Sequence, residues 1–191
     1  AFHEIVGIDL GQHRIIPPDP TRVLIDTREA AEIADVLSDL GVAFERWNAS
    51  VVLPDGAAQD DVLKAYEADV KRIMEGGGYK SVDVARVTPD HPDRVALRQK
   101  FLAEHTHDDD EVRFFVEGAG AFYLNVKGNV YRIVCERNDL ISVPAGTMHW
   151  FDTGEHPHFC AIRIFTSPDG WVGHFTGDDI ATRFPLFESA A

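Results

Sequence analysis

The chain has 191 residues, 45% hydrophobic and 26% charged, which suits a single domain with a buried core. Its net charge is −14, from 18 basic and 32 acidic residues, and this balance excludes a nucleic-acid-binding protein and disfavours an anionic membrane surface. Such acidity is typical of a soluble monomer. No apolar stretch predicts a membrane span or a signal peptide, and Cys135 and Cys160 form no paired motif, so we expect a cytoplasmic protein with reduced thiols.

The first half of the chain, residues 1–104, is predicted to be mostly helical. Residues 1–22 contain a proline-rich stretch and carry no clear pattern. Beyond them, apolar residues recur at helical spacing, and threonine, proline and glycine mark the expected helix ends. The elements predicted in chain order are a strand over Val23–Asp26, a helix from Thr27 to Leu40, a strand over Val42–Trp47, a helix over Asp60–Glu75 and a helix that opens near Pro92.

From His105 onward the pattern changes to short β-rich runs separated by turn residues, which predicts a sandwich or barrel. We expect residues 105–166 to form this barrel core and residues 167–191 to close one end of a single domain. The predicted strands are Glu111–Glu117, Ala121–Val126, Val130–Cys135, Leu140–Val143, His149–Asp152 and Phe159–Phe165, with a turn at Gly118–Gly120 between the first two.

Three histidines and a glutamate predict a metal site. His105 and His107 lie two residues apart, so on a strand both rings point to the same face. Glu111 follows an acidic turn that could reverse the chain, and His149 follows a Pro-x-Gly turn that could aim it inward. Three imidazoles and one carboxylate suit Fe(II), Ni(II), Co(II) or Mn(II), and an octahedral ion held by four side chains keeps two positions open for a substrate.

These spacings resemble the two motifs of the cupins, small metal-binding β-barrels. The run from His105 to Gly118 resembles the first motif, and the run from Pro144 to His149 resembles the second. The glycines that often open these motifs are replaced by Gln99 and Asn138. The resemblance implies a mainly β fold, a cupin-type barrel flanked by helices that lie mostly in the N-terminal half.

Longer stretches are similar to the acireductone dioxygenase family, over about residues 23–185. They include Gly41–Trp47, Phe101–His107, Asp110–Phe114, Asn138–His149 and Phe175–Asp179. The resemblance implies an enzyme of methionine salvage that reacts an acireductone, a 1,2-dihydroxy-3-keto thioether enol, with O₂. With Fe(II) the family gives formate and 2-keto-4-methylthiobutyrate. With Ni(II) or Co(II) it can give methylthiopropionate, formate and carbon monoxide.

Further residues are candidates for substrate contacts. Arg113 lies two residues after Glu111, on the same strand face, where its charge could bind the oxygens of an anionic substrate. Phe101, Phe151 and Trp171 are candidates for a wall around an apolar substrate tail. Glu104 and Arg163 are candidates for partners that orient the ligands. The motifs alone also allow another cupin dioxygenase or isomerase, or a cupin that binds metal without turnover.

Overall fold

The computed structural model describes residues 5–9, 23–54, 56–168 and 172–187. These residues form eleven strands, four α-helices and a short 3₁₀ helix. The helices are α1 (Ala30–Ser38), α2 (Gln59–Ala65), α3 (Glu67–Gly77), α4 (Arg94–Leu102) and the 3₁₀ helix Ile180–Arg183. The strands are β1 (Ile5–Asp9), β2 (Val23–Thr27), β3 (Ala43–Arg46), β4 (Ser81–Val87), β5 (His105–Thr106), β6 (Glu111–Val126), β7 (Asn129–Glu136), β8 (Asp139–Val143), β9 (Met148–Asp152), β10 (His158–Phe165) and β11 (His174–Phe175).

Strand β6 joins two halves of one antiparallel sheet. Its first residues pair with β8 and β10, and its last residues pair with β7 and β9. One half therefore has the order β4-β10-β6-β8-β3, and the other has the order β11-β5-β9-β6-β7-β1-β2. The predicted mainly β fold, with its helices in the N-terminal half, is confirmed.

The predicted turn at Gly118–Gly120 is wrong, because β6 runs through it as a single strand of 16 residues. The strand bends there at a bulge, where the partner of Cys160 is Glu117 and the partner of Ala161 is Phe115. Gly118 has a φ of +62°, and a Cβ atom at this position would overlap the carbonyl of His158. Glycine therefore lets β6 bend while it keeps its pairing with β10.

Three apolar clusters hold the layers together. The central cluster lies between the two sheet halves and contains alternating side chains of β6, such as Phe115 and Phe122, together with Ile33 of α1. A second cluster lies between helices α2 and α3 and the half of the sheet that contains β10 and β8. A third cluster contains Trp150 of β9, which packs beneath the 3₁₀ helix. Each fully buried large apolar side chain contributes about 1.5–3 kcal/mol to folding.

The first half of the chain differs from prediction in three places. The helix predicted over Asp60–Glu75 is divided at Tyr66, whose buried ring meets Phe114 edge to face with centroids 5.5 Å apart. Helix α1 begins at Ala30, because the hydroxyl of Thr27 accepts the N–H of Glu29 in the turn before the helix. Strand β4 was not predicted, although its alternating valines carry the signal of a half-buried strand.

None of the helices in the described ranges is long and apolar enough to span a membrane. Neither Cys135 nor Cys160 forms a disulfide, and burial raises the pKa of both thiols, that of Cys160 to about 11. The expected division of the domain into three consecutive parts stays a prediction.

Candidate metal centre

The structure brings together the three histidines and the glutamate that the sequence singles out. His105 lies on β5 and is the register partner of His149 on β9, so both rings lie on the same face of the sheet. His107 follows directly after β5, and Glu111 is the first residue of β6. The bend of β6 thus unites side chains from both halves of the sheet.

The four side chains converge on a small buried volume. One ring nitrogen from each of the three histidines lies within 4.8 Å of the other two. The Oε2 atom of Glu111 is 3.0 Å from Nε2 of His107 and 3.4 Å from Nε2 of His149. All four residues are at most 6% exposed.

Backbone carbonyls fix which nitrogen of each ring carries the proton. Nδ1 of His105 contacts the carbonyl of Ala103 at 2.7 Å, and Nδ1 of His149 contacts that of Thr147 at 2.8 Å. Nδ1 of His107 contacts the carbonyl of Val172 at 2.6 Å. Because a carbonyl can only accept, each Nδ1 carries a hydrogen, which leaves Nε2 as the nitrogen of each ring that can present a lone pair.

The electrostatics favour the protonation states that metal binding requires. Burial, followed by the nearby ring of His149, lowers the pKa of His105 to about 4. Burial works to raise the pKa of Glu111, but the charge of Arg113, together with the facing rings of His107 and His149, outweighs it and holds this pKa well below its usual range. The ring of His105 is therefore neutral and the carboxylate of Glu111 is ionised, as metal binding requires.

This donor set fits a divalent cation. Three imidazole lone pairs and a carboxylate oxygen lie close together and repel one another in the absence of a positive charge. A set of three nitrogens and one oxygen suits Fe(II), Ni(II), Co(II) or Mn(II), and it leaves coordination positions open for another molecule.

Arg113 lies inside the sheet beside the cluster. Its Nε donates to Oε1 of Glu111 at 2.5 Å, so the carboxylate faces the arginine with one oxygen and the histidines with the other. Arg113 is 2% exposed, and its guanidinium lies 4.9 Å from the ring centre of Phe122 and 4.8 Å from that of Phe151. The aromatic rings therefore hold the charge away from bulk water.

Two of the three residues proposed to contact the substrate tail pack against each other in the central cluster. Phe151 lies two residues after His149 and is 1% exposed within the central core. Phe101 packs edge to face against Phe151 with ring centres 6.4 Å apart. Trp171 lies outside the described residues, so its predicted contact stays a prediction.

The candidate ligand-orienting residues make no direct hydrogen bond to the four clustered side chains among the contacts described below. Arg163 forms two hydrogen bonds with Asp83 of β4, at 2.7 and 2.6 Å, since the two residues face each other across the β10–β4 pair. Glu104 accepts from Asn125 and Thr176, both at 2.8 Å. Arg113 and three backbone carbonyls make the direct hydrogen bonds to the four side chains, and the predicted orienting roles of Glu104 and Arg163 stay predictions.

Sequence reasoning did not identify two contributions from the C-terminal segment. Val172 supplies the carbonyl that His107 contacts, and Phe175 places its ring edge to face with His105 at 5.7 Å. Phe175 is also the register partner of His105, so its half-exposed ring lies on the face that carries the cluster. Neither contact has a sequence signal, because both depend on the pairing of β11 with β5.

The fold and the site together define a cupin whose buried cluster suits a divalent metal ion. The ARD/ARD' family model matches residues 14–173. An acireductone dioxygenase of Parvibaculum lavamentivorans is 76% identical over 171 residues, which are 90% of this chain and 93% of the relative. One from Pseudomonas aeruginosa strain UCBPP-PA14 is 53% identical over 176 residues, 92% of this chain and 96% of the relative.

One solved structure agrees with the sequence comparisons. An acireductone dioxygenase from Bacillus anthracis with a cadmium ion in its active center superposes with a TM-score of 0.76 at 28% identity, over 92% of this chain and 99% of the relative. This chain therefore belongs to the ARD/ARD' family, the family of the acireductone dioxygenases. The histidine cluster and the cadmium-bound relative together support a divalent-metal site.

Proposed function

We propose that this chain catalyses the reaction of an acireductone with O₂, using a divalent metal ion held by His105, His107, Glu111 and His149. The observation that carries the proposal is the buried convergence of these side chains in a chain 76% identical to an acireductone dioxygenase. Fe(II) and Ni(II) are the proposed ions, and the same donors also suit Co(II) and Mn(II).

Each ligand contributes a defined property to this mechanism. The carbonyl contacts keep a hydrogen on Nδ1 of each ring, so that Nε2 faces the centre, and Glu111 adds a negative charge. A divalent ion held by these side chains would supply Lewis acidity and a template for a deprotonated acireductone. By holding that ion in one place, the four ligands would fix where the substrate lies.

Arg113 is the proposed counter-charge for the substrate dianion. Its Nε already donates to Glu111, so the N–H groups of its terminal nitrogens are the donors we assign to substrate oxygens. The rings of Phe122 and Phe151 beside the guanidinium exclude water, which strengthens the attraction between opposite charges. Phe101, Phe151 and Trp171 remain the proposed contacts of the apolar tail.

The working unit is proposed to be a single chain in the reducing cytoplasm. All four proposed ligands and Arg113 come from one chain, so the site needs no residue from a second copy. The free thiols of Cys135 and Cys160 are typical of a reducing compartment.

The test is oxygen uptake by metal-reconstituted protein. Protein stripped of metal is loaded anaerobically with Fe(II), mixed with an acireductone and exposed to O₂. We expect uptake with formate and 2-keto-4-methylthiobutyrate as products, as in methionine salvage, and a repeat with Ni(II) should give methylthiopropionate, formate and carbon monoxide. His149→Ala should lose both metal and activity, whereas His156→Ala, at an exposed histidine outside the cluster, should keep both.

Protein that holds about one ion per chain yet consumes no oxygen with an acireductone would refute the activity. The chain would then be a cupin that acts on another substrate or binds metal without turnover. Full metal binding by His149→Ala would refute the ligand assignment.

A further inference from the structure

Residues 172–176, which we name the C-terminal strap, lie across the metal cluster. The carbonyl of Val172 contacts Nδ1 of His107, 65 positions earlier in the chain. The matching carbonyls for His105 and His149 come from residues only two positions before each ring. The orientation of His107 therefore depends on a distant segment, whereas those of the other two rings are set locally.

One buried side chain ties the strap to the sheet. The hydroxyl of Thr176 donates to Oε2 of Glu104 at 2.8 Å, and the backbone N–H of Thr176 donates to the backbone carbonyl of Glu104 at 3.0 Å. Glu104 is 3% exposed, and its Oε1 accepts from Asn125 of β6 at 2.8 Å. Glu104 thus links the strap to β6 and immediately precedes His105.

The other contacts of the strap either involve few residues or are exposed to solvent. Strand β11 pairs with β5 over two residues, His174 and Phe175. The hydrogen bond between His174 and Asp108 joins side chains that are 53% and 87% exposed, so water competes with it. Hydrogen bonds to a buried carboxylate are stronger than those to neutral groups, so the contacts of Glu104 are the main anchor of the strap.

We propose that Glu104 and Thr176 are positioning residues for metal binding. They hold the strap so that the carbonyl of Val172 keeps the hydrogen of His107 on Nδ1 and its lone pair on Nε2. Without this anchor, the ring of His107 exchanges tautomers and loses its fixed orientation. The inference rests on the proposed function, in which His107 is a metal ligand.

Thr176→Val tests the anchor, because it removes the hydroxyl and keeps the shape. Zn(II) affinity is measured by competition with a chelator, and circular dichroism confirms the fold of each variant. Loss of a residue that supports a metal ligand typically weakens affinity about 10–100-fold, and we expect Thr176→Val to raise the dissociation constant at least about tenfold. Thr176→Ser keeps the hydroxyl and should retain the wild-type affinity.

Thr182→Val is the matched control. Thr182 also lies in the C-terminal segment, and its hydroxyl donates to the carbonyl of Asp179, away from Glu104. Its Zn(II) affinity should equal that of the wild type. An equal loss in Thr182→Val, or no loss in Thr176→Val, would overturn the inference.

A measurement on the Zn(II)-loaded wild-type protein does not depend on how any variant folds. The protein is labelled with ¹⁵N in the backbone and in the histidine rings, and exchange with solvent is followed at the Nδ1 hydrogen of His107 and at the amide of Thr176. Because one movement of the strap exposes both groups, the free energy of opening calculated from each exchange rate should be the same. The Nδ1 hydrogens of His105 and His149 should give a different free energy of opening. Independent exchange at His107 and Thr176 would overturn the inference.

The failure of this inference is distinguishable from that of the proposed function. If wild-type protein binds no Zn(II) at the histidines, the ligand assignment is wrong, and the inference falls with it. If wild-type protein binds Zn(II) there and Thr176→Val binds it equally well, the metal site stands and only the role of the strap is refuted.

Discussion

At the scale of single residues, the pair of Glu111 and Arg113 decides the charge of the site. Both residues are at most 2% exposed, and the guanidinium faces one carboxylate oxygen while the histidines face the other. A buried carboxylate that lost its cation would carry an uncompensated charge in a medium of low polarity. Arg113 therefore keeps Glu111 ionised when no metal is bound.

Arg113→Met should reveal this role. Removal of one partner of a buried ion pair costs about 3–5 kcal/mol, and we expect this loss in urea unfolding with a chelator present. The loss should be smaller with saturating Zn(II), because the ion supplies positive charge to Glu111. Lys71→Met, which breaks an exposed pair with Glu75, should cost less than about 1 kcal/mol. An equal loss for Arg113→Met with and without metal would contradict this account.

The residues of the cluster could be identified from sequence because their spacings belong to local motifs. His105 and His107 share a strand face by period alone, and Arg113 lies two residues after Glu111 on one strand. The partner of Arg163 could not be predicted, because Asp83 lies on β4, 80 positions away. The carbonyl of Val172 and the ring of Phe175 were missed for the same reason, since only the folded chain brings β11 beside β5.

At the scale of elements, β7, β8, β9 and β10 were predicted to within one residue at each end, as expected for alternating segments bounded by turns. The two-residue strands β5 and β11 were not among the predicted strands. The bend in β6 was mistaken for a turn, because glycine is common in both β-bulges and turns and does not distinguish them. Helix ends were less predictable. The break at Tyr66 depends on the burial of its ring against Phe114, which local sequence does not reveal.

Gly118→Ala tests the bulge. Gly118 has a positive φ, and an added Cβ would overlap the backbone carbonyl of His158, which the β10 pairing holds in place. We expect a loss of at least about 2 kcal/mol in the free energy of unfolding, since strain and overlap add. Denaturant titration measures it.

Gly128→Ala is the control for Gly118→Ala. Gly128 has a φ of +80° but open space around its Cα atom, so alanine there adds strain without overlap, at a cost of about 1 kcal/mol. If the two variants lost equal free energy of unfolding, the close approach of β6 and β10 would make no contribution to the cost of Gly118→Ala.

The turn between β7 and β8 contains a buried carboxyl that should make stability depend on pH. Oδ2 of Asp139 accepts the N–H of Glu136 at 2.8 Å, and the residue has no exposed surface. Burial raises the pKa of Asp139 to about 7, although the Glu136 hydrogen bond and Arg46, at 3.3 Å, act to lower it. In the unfolded chain an aspartate has a pKa of about 3.9.

Between about pH 4 and pH 7, the folded state therefore holds a proton that the unfolded state has released, so the free energy of unfolding falls as pH rises through this window. Asp139→Asn cannot titrate and can still accept the N–H of Glu136. We expect the variant to gain stability relative to the wild type as pH rises, by roughly 1–4 kcal/mol in urea titrations at each pH. A difference that stays constant with pH would refute the raised pKa.

At the scale of the whole molecule, the cluster connects the two halves of the sheet. His105 and His149 lie in the half that contains β5 and β9, whereas Glu111 lies at the end of β6 that pairs with β8 and β10. An ion bound to all of them joins both halves and the loop that carries His107. Because the unfolded chain does not hold these residues together, metal binding is coupled to the stability of the entire domain.

The free energy of unfolding should therefore rise with the concentration of free metal. A ligand that binds only the folded state adds about 4 kcal/mol at a thousand times its dissociation constant, and each tenfold increase adds about 1.4 kcal/mol. Urea titrations at buffered Zn(II) concentrations measure this slope. His149→Ala should show little dependence on Zn(II), and His156→Ala should match the wild type. A wild-type stability that is independent of Zn(II) would mean that the convergent side chains do not bind the ion, and a slope retained in His149→Ala would place the ion elsewhere.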